Sequence, residues 1–301
     1  MTQDHNTPDR TTAPLDPQWI NADGTVIDED DRGLVYDVRT MINRRRALGI
    51  FGGVALTSLL AACGVNPTTD ASATPNATPT PTGSASASAS ASEPLAEVPD
   101  ETGGPYPADG SNGVNVLDDS GIVRADIRSS FGSSTTVAAG IPLTIALTVR
   151  DAATGRALAG KGVYLWHCDR DGNYSLYSQG VEDENYLRGV QETDANGTVA
   201  FTSIYPACYS GRWPHIHFEV YDDVANAVAS GPIVKTSQIA LPAETNDTVY
   251  ATAGYEQSVR NAAQVTLQND NVFRDDGAIR QLATMSGSVA QGYTAALTIG
   301  V

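Results

Sequence analysis

The chain has 301 residues, more than one ordinary domain needs, so a folded domain with additional segments is expected. It contains 35 Asp and Glu against 18 Lys and Arg, a formal net charge of −17 at pH 7. This charge argues against binding to nucleic acid or to anionic membrane surfaces, because both require a positively charged patch. Hydrophobic residues at 41% and charged residues at 18% are near globular averages, which excludes a chain that is disordered throughout.

Residues 1–40 are polar and acidic, with Asp28, Glu29, Asp30 and Asp31 forming one run. A segment of this composition cannot bury enough apolar surface to fold alone, so the sequence predicts a disordered acidic leader. Translation from Met1 and translation from Met41 both fit the sequence. The second start places a compact export signal directly at the N terminus.

Residues 41–63 have the order of features of an export signal. Three arginines at 44–46 precede an apolar stretch that is shorter than the roughly 20 residues of a membrane-spanning helix. The paired arginines resemble a twin-arginine signal, although Ala47 and Leu48 fit its usual continuation loosely. Leu60-Ala61-Ala62-Cys63 resembles a bacterial lipobox. We therefore expect an exported, extracytoplasmic cell-envelope lipoprotein anchored at Cys63; a buried helix ending in a core cysteine is the alternative.

Residues 64–95 separate this signal from the rest of the chain. Between 66 and 92 there is no aromatic or large aliphatic residue, and the composition is dominated by Ser, Ala, Thr and Pro. Such a segment is typical of a flexible linker. The folded domain is therefore predicted to occupy residues 96–301.

Short runs rich in Val, Ile, Thr and Tyr, bounded by Gly, Pro, Asn or Asp, dominate residues 120–240 and predict strands. Four of these runs are Leu143 to Val149, Gly162 to His167, Thr198 to Ile204 and His215 to Tyr221. Only Thr248 to Gln268 is expected to hold a short helix, broken at Gly254. The pattern predicts an all-β fold: an antiparallel β-sandwich with short helical or irregular C-terminal additions.

His215, His217 and Glu219 share one face of the last of these strands, because successive side chains alternate across a strand. The residues between them, Ile216, Phe218 and Val220, would face the core. Two imidazoles about 7 Å apart on one strand face are well placed to bind one metal ion. The strand therefore predicts a metal site, with two ordinary hydrogen-bonded histidines as the alternative.

Two tyrosines near this strand indicate which metal it would be. Tyr174 follows the turn-forming sequence Asp-Gly-Asn, and Tyr209 lies six residues before His215. Tyrosine has an ordinary pKa of about 10, so only a strong Lewis acid binds it as phenolate at neutral pH. Fe(III) does so, whereas Zn(II) generally prefers His, Cys or carboxylate. The pattern favours Fe(3+); a copper or zinc site that uses only the two histidines is the alternative.

The motifs around these residues follow a specific order. They are Gly162-Val163-Tyr164-Leu165-Trp166-His167 with Gly172-Asn173-Tyr174, then Leu187-Arg188-Gly189 with Thr193-Asp194, then Pro206-Ala207-Cys208-Tyr209, Gly211-Arg212 and His215-Ile216-His217. Over about residues 101–240 the chain thus resembles the intradiol ring-cleavage dioxygenases, a family that includes catechol and protocatechuate dioxygenases.

The resemblance implies a non-haem Fe(III) held by Tyr174, Tyr209, His215 and His217. It implies cleavage of a catechol-type ring with O₂, between the two hydroxylated carbons, to a muconate-type product. Tyr209 would leave the iron and act as a base, while Arg212 would stabilise negative charge through its fixed guanidinium. A salt bridge to a nearby acid is the alternative role for Arg212. The small aromatic diol and O₂ are the expected partners.

Two further positions resemble substrate-side residues of the family. Tyr106 lies in Gly104-Pro105-Tyr106, and Gln238 follows Ser237 as in the family's Thr-Gln pair. Both are predicted substrate contacts. The alternative for Tyr106 is a packing role. The alternatives for Gln238 are that it orients an iron ligand or that it is an ordinary strand residue. The chain has no counterpart of the helical dimerisation region of catechol dioxygenases, so the oligomeric state is left open. The negative charge favours a neutral catechol over a carboxylated one.

Cys168 and Cys208 lie close in sequence to the two tyrosines. If both tyrosines reach one metal, as the resemblance implies, the two segments converge and bring the cysteines together. In an oxidising compartment, such a pair is expected to form a disulfide, with two buried free thiols as the alternative. The competing function for the whole chain is a lipoprotein β-sandwich binding module without catalysis.

Overall fold

A computed structural model describes residues 94–301. The predicted leader (1–40), the signal with Cys63 (41–63) and the linker up to residue 93 lie outside the described residues. In chain order the elements are β1 (Pro142–Arg150), β2 (Gly162–Trp166), β3 (Arg188–Glu192), β4 (Thr198–Ile204), β5 (His215–Tyr221), α1 (Val224–Val228), β6 (Ile233–Ala240), α2 (Ala243–Tyr250), α3 (Glu256–Ala262), β7 (Thr284–Ser288) and β8 (Gly292–Gly300). Within this range no helix has the length and apolar character needed to cross a bilayer.

The strands form two four-stranded sheets, with orders β4-β1-β8-β7 and β3-β2-β5-β6. The four strands expected from the sequence are all present. Neighbouring strands pair antiparallel except for β1 and β8, which run parallel from Leu143↔Tyr293 to Arg150↔Gly300. The expectation of a wholly antiparallel arrangement is therefore wrong for the first sheet. β1 and β8 are far apart in the sequence and are not joined by a hairpin, so no tight turn forces these two strands to run in opposite directions.

One hydrophobic cluster contains side chains from both sheets. From β1 it takes the alternate residues Leu143, Ile145, Leu147 and Val149, and from β5 it takes Ile216, Phe218 and Val220. The alternation predicted for β5 is confirmed. The opposite face of β5 is buried as well, because the chain around residues 101–107 covers it. Burial on both faces removes the histidine face of β5 from solvent.

The predicted helix appears as two short helices, α2 and α3, on either side of Gly254. Gly254 has a φ of +93°, a conformation that L-residues rarely adopt and that ends helical geometry. The C-terminal part is not limited to helical or irregular additions, since it ends in β7 and β8. These strands contain many Gly, Ser, Thr and Ala residues, so their sequences lack the large apolar alternation that signals a strand.

Candidate metal centre

The two histidines of β5 present their Nε2 atoms to each other at 3.1 Å. His215 Nδ1 contacts the carbonyl oxygen of Trp213 at 2.5 Å, which places the proton on Nδ1 and leaves the lone pair on Nε2. The His217 ring stacks on Trp166 of the neighbouring strand β2, with centroids 4.9 Å apart and planes 5° apart. Strand geometry and stacking thus aim both imidazoles at one point.

Tyr174 reaches this point from the turn that follows β2. Asp169 Oδ1 accepts hydrogen bonds from the backbone N–H groups of Asp171 and Asn173, both at 2.9 Å, and so shapes the turn. The backbone N–H of Tyr174 donates to Ser178 Oγ at 2.9 Å. The Tyr174 ring is buried, and its centroid lies 6.2 Å from that of His217.

Tyr209 is held in place by close contact between its loop and the Tyr174 turn. A Cβ at Gly172, whose φ is +95°, would lie 3.3 Å from Tyr209 Cβ, so glycine allows this approach. Two buried side chains of α3 hold the neighbouring residue: Ser258 Oγ accepts from the Cys208 N–H at 3.0 Å, and Asn261 Nδ2 donates to its carbonyl at 2.9 Å. Neither residue could be predicted from the sequence, because both lie about 50 residues from Cys208 and belong to no motif.

The structure therefore brings together the four residues expected to bind the metal, Tyr174, Tyr209, His215 and His217. Tyr209 Oη lies 3.2 Å from His215 Nε2, and the two tyrosine ring centroids are 5.8 Å apart. Two nitrogens each about 2.1 Å from one metal at a right angle would be about 3 Å apart, which matches the observed separation of the two Nε2 atoms. The described residues contain no cluster of three or more His, Cys, Asp or Glu able to hold a metal, so the candidate is this mixed set.

The donor atoms fit a bound cation on electrostatic grounds. The buried Tyr174 hydroxyl has no hydrogen-bond partner of ordinary geometry among the described residues, and such a group is costly unless something else satisfies it. Burial, followed by the nearby Tyr209 phenol, raises the pKa of Tyr174 well above its ordinary value. Burial, followed by the Arg212 charge, lowers the pKa of His215 well below its ordinary value, so His215 is neutral. Neutral imidazoles and an unsatisfied phenol are the groups that a strongly charged metal ion would bind.

Arg212 forms a salt bridge with a nearby acid, which was the alternative to a catalytic role for this residue. It also faces the cluster of Tyr174, Tyr209, His215 and His217. Its Nε donates to Asp270 Oδ2 at 3.0 Å, with both side chains almost completely buried. Its Nη1 lies 3.5 Å from His215 Nε2. The salt bridge therefore does not withdraw the guanidinium from the site.

The two predicted substrate contacts have different surroundings. The Tyr106 ring packs on Tyr174, with centroids 4.8 Å apart, at the edge of the cluster. Both polar ends of Gln238 are already engaged, Oε1 by Arg212 Nη2 at 2.7 Å and Nε2 by the carbonyl of Thr102 at 2.9 Å. These contacts favour orientation of Arg212 as the role of Gln238.

The structure contains Cys168 and Cys208 as free, buried thiols, so the disulfide expected from the sequence is not formed. The two thiols point at different backbone carbonyls. Cys168 Sγ lies 3.8 Å from the carbonyl of Ala207, and Cys208 Sγ lies 3.4 Å from that of Arg212. Convergence of the two tyrosines therefore brings the chain segments together without aligning the sulfur atoms.

Gly104 allows the segment of residues 101–107, which covers the histidine face of β5, to lie directly on the metal-facing side of His217. Its φ is +71°, and a Cβ would lie 3.2 Å from His217 Cε1. We expect Gly104→Ala to reduce the free energy of unfolding by about 1–2 kcal/mol and to weaken metal binding by displacing His217. Denaturant unfolding and metal titration measure the two effects. Gly132→Ala is the control, because Gly132 has a φ of +77° with open space around it. Equal metal affinity in both variants would contradict the expectation.

Glu101 makes stability depend on pH. Burial, followed by the charge of Asp275, raises its pKa from 4.5 to about 7. Between these values the folded chain retains a proton that the unfolded chain loses, so stability falls as the pH rises through this window. We expect Glu101→Gln to be more stable than the parent by about 1 kcal/mol at pH 8, a value reduced for partial exposure, and equal to it below pH 4.5. Denaturant unfolding at both pH values tests this, with exposed Glu192→Gln as control. A gain that persists at low pH would refute it.

Comparison with known proteins agrees with this geometry. Residues 130–229, about a third of the chain, match the family described as Dioxygenase. The chain is 37% identical over 62 residues to chlorocatechol 1,2-dioxygenase from Rhodococcus opacus, covering 21% of this chain and 24% of that protein. It therefore matches about a quarter of the length of this relative. The four candidate metal ligands, Tyr174, Tyr209, His215 and His217, and also Arg212, lie within residues 130–229, the range that matches the family.

Among solved structures, the chain resembles an intradiol ring-cleavage dioxygenase from Tetranychus urticae, with a TM-score of 0.51 and 24% identity. The alignment covers 60% of this chain and 87% of that one. The fold of the described residues is therefore that of an intradiol ring-cleavage dioxygenase, with two sheets and few helices. The family match over residues 130–229 falls within the part of the chain that this fold describes.

Proposed function

We propose that this chain is a non-haem Fe(III) intradiol dioxygenase that cleaves a catechol-type ring with O₂ to a muconate-type product. The observation that carries the proposal is the convergence of two imidazoles and two phenols on one buried point beside a guanidinium. Both oxygen atoms of O₂ enter the product, so the reaction requires no external reductant. The name of the Rhodococcus relative, a chlorocatechol 1,2-dioxygenase, supports this class of substrate.

Tyr174, Tyr209, His215 and His217 would hold the iron. When bound, Fe(III) would withdraw electron density from the coordinated diol and make its ring open to attack by O₂. Tyr209 Oη, 3.2 Å from His215 Nε2, would accept a proton from a substrate hydroxyl. Arg212 would stabilise the negative charge that develops on substrate oxygen, since its Nη1 is directed toward the cluster. Tyr106 would pack against the aromatic ring of the diol from its place on Tyr174.

The charge near the site supports a neutral catechol as the substrate. Glu101 interacts electrostatically with Asp275, Asp276 and Arg212, so acidic groups lie on the Arg212 side of the site. A carboxylate on the substrate ring would be repelled by them. We expect a higher kcat/KM for catechol than for protocatechuate, and the opposite order would refute this part of the proposal.

The visible spectrum tests the iron centre. Ligand-to-metal charge transfer from phenolate to Fe(III) would make the purified protein reddish, with about one iron per chain. Uptake of O₂ with a panel of catechols then tests the reaction. A colourless protein with iron well below one atom per chain would refute the dioxygenase and leave a copper or zinc site, or a binding module, as the function. A coloured protein that consumes no O₂ with any catechol would refute the substrate class alone.

We further propose that the protein is exported and anchored in the cell envelope by a lipid on Cys63. The arginines at 44–46, the apolar stretch and the lipobox-like Leu60-Ala61-Ala62-Cys63 support this. Fractionation of cells that produce the parent and Cys63→Ser separates anchored from soluble protein. We expect the parent in the membrane fraction and the variant outside it. Equal distribution would refute the anchor. Replacing Arg44, Arg45 and Arg46 together by lysine tests the twin-arginine route.

A further inference from the structure

A fully buried carboxylate holds Arg212 at a fixed position. Asp270 lies between α3 and β7, 58 residues beyond Arg212, and is completely shielded from solvent. Its Oδ2 accepts hydrogen bonds from Arg212 Nε at 3.0 Å and from the Trp213 N–H at 2.7 Å. Its Oδ1 accepts from the N–H groups of Val272 at 2.8 Å and Phe273 at 3.1 Å. With two donors on each oxygen, the carboxylate has a single orientation in its pocket.

This carboxylate fixes the plane of the guanidinium together with Gln238. Arg212 Nη2 donates to Gln238 Oε1 at 2.7 Å, so the Nε and Nη2 positions are both held. Because a guanidinium is a planar, rigid fork, two fixed nitrogens determine where the third lies. That third nitrogen, Nη1, is directed at His215 Nε2, 3.5 Å away.

We infer that Asp270 is a positioning residue that aims Arg212 Nη1 at the substrate oxygen in the reaction. The inference rests on the proposed function. The hydrogen bonds of Asp270 go to the Arg212 side chain and to the backbone N–H groups of Trp213, Val272 and Phe273, and none goes to the side chains of Tyr174, Tyr209, His215 or His217. We therefore expect its effect on turnover to pass through Arg212. Its removal should therefore change turnover without changing the iron centre.

The test uses Asp270→Asn in the full chain, a change that keeps the size of the side chain and removes its charge. We expect kcat to fall about 10–100-fold, with iron content and the visible band unchanged. Arg212→Gln should lower kcat about 100–1000-fold, as loss of one charge-stabilising donor does. The double variant should match Arg212→Gln within about twofold, because Asp270 has no effect without Arg212. Asp222→Asn, the same change at an exposed carboxylate, is the control and should match the parent.

The inference would be overturned if the fold-losses in kcat of the two single variants multiplied in the double variant. Loss of iron in Asp270→Asn would also overturn it, since the residue would then support the metal centre itself. Parent-like turnover in a folded Asp270→Asn protein would be a third contradiction.

A measurement on the iron-free full chain separates this inference from the proposed reaction. The Nε–H proton of Arg212, identified in NMR spectra by its absence from Arg212→Gln, should exchange slowly with water because Asp270 accepts it. We expect its exchange to be at least about 10-fold faster in Asp270→Asn. Equal exchange in both proteins would refute the positioning role whatever the reaction is. Slow exchange in a protein that cleaves no catechol would refute the proposed reaction and leave the hydrogen bond established.

Discussion

Tyr209→Phe is expected to keep most of the iron bound, to weaken the visible band and to lower kcat by about 100-fold or more. The variant loses the phenol oxygen that would accept the substrate proton, and general base catalysis typically contributes 10²–10⁴-fold. Tyr174→Phe is expected to lose iron more readily, since Tyr174 is a proposed iron ligand and its hydroxyl has no hydrogen-bond partner of ordinary geometry among the described residues. Iron content, the visible spectrum and steady-state kinetics measure the difference.

The same two variants distinguish metal binding from folding. In the iron-free chain, Tyr174→Phe should raise the free energy of unfolding by about 1 kcal/mol, because it removes a buried hydroxyl that has no hydrogen bond of ordinary geometry. Tyr205→Phe is the control, because its buried hydroxyl donates to Asn246 Oδ1 at 2.6 Å. Its loss should lower the free energy of unfolding of the iron-free chain and leave the visible band of the iron-loaded protein unchanged. Identical behaviour of Tyr174→Phe and Tyr209→Phe would contradict the different roles assigned to them.

Arg188→Met is expected to reduce the free energy of unfolding by about 3 kcal/mol and to weaken metal binding. Arg188 is buried, and its guanidinium donates to the carbonyls of Tyr106 at 2.9 Å, Pro107 at 3.2 Å and Ser175 at 2.9 Å. It thereby ties the segment that covers the site to the turn that carries Tyr174. Methionine fills much of the space but leaves the carbonyls of Tyr106 and Ser175 without this donor, each at a cost of about 1–3 kcal/mol.

Denaturant unfolding and iron titration of Arg188→Met measure these two effects. Arg156→Met, the same substitution at an exposed side chain, is the matched control and should remain within about 0.5 kcal/mol of the parent. A parent-like free energy of unfolding in Arg188→Met would show that the hydrogen bonds from Arg188 to these carbonyls contribute nothing to stability. Normal stability with lost iron would instead assign Arg188 to the metal centre itself.

The ring residues could be predicted from the sequence because they lie in short segments with local signals. Alternation along a strand placed His215 and His217 on one face, and a turn sequence placed Tyr174 near its end. The residues that support them could not be predicted in this way. Asp270 and Asn261 reach the site from segments more than 50 residues away, and only the packed fold shows that their side chains are buried beside it.

The parallel pairing of β1 and β8 was also beyond sequence reasoning. Strand periodicity indicates which face of a strand is buried but carries no information about which strand lies beside it. The directions of the Cys168 and Cys208 thiols could not be predicted from the sequence either. Their chain segments converge as expected, and the direction of each sulfur depends on local torsion angles.

The position of β8 has a consequence for how the domain is made. β8 lies between β1 and β7 in its sheet, and it begins about 140 residues after β1 ends. A growing chain therefore exposes the hydrogen-bonding edge of β1 that faces β8 until β8 has been synthesised. Pairings between such distant segments form slowly, because a large loop has to close first. During this interval the unpaired edge is open to other strands, so chaperone binding at β1 would protect the nascent chain from aggregation.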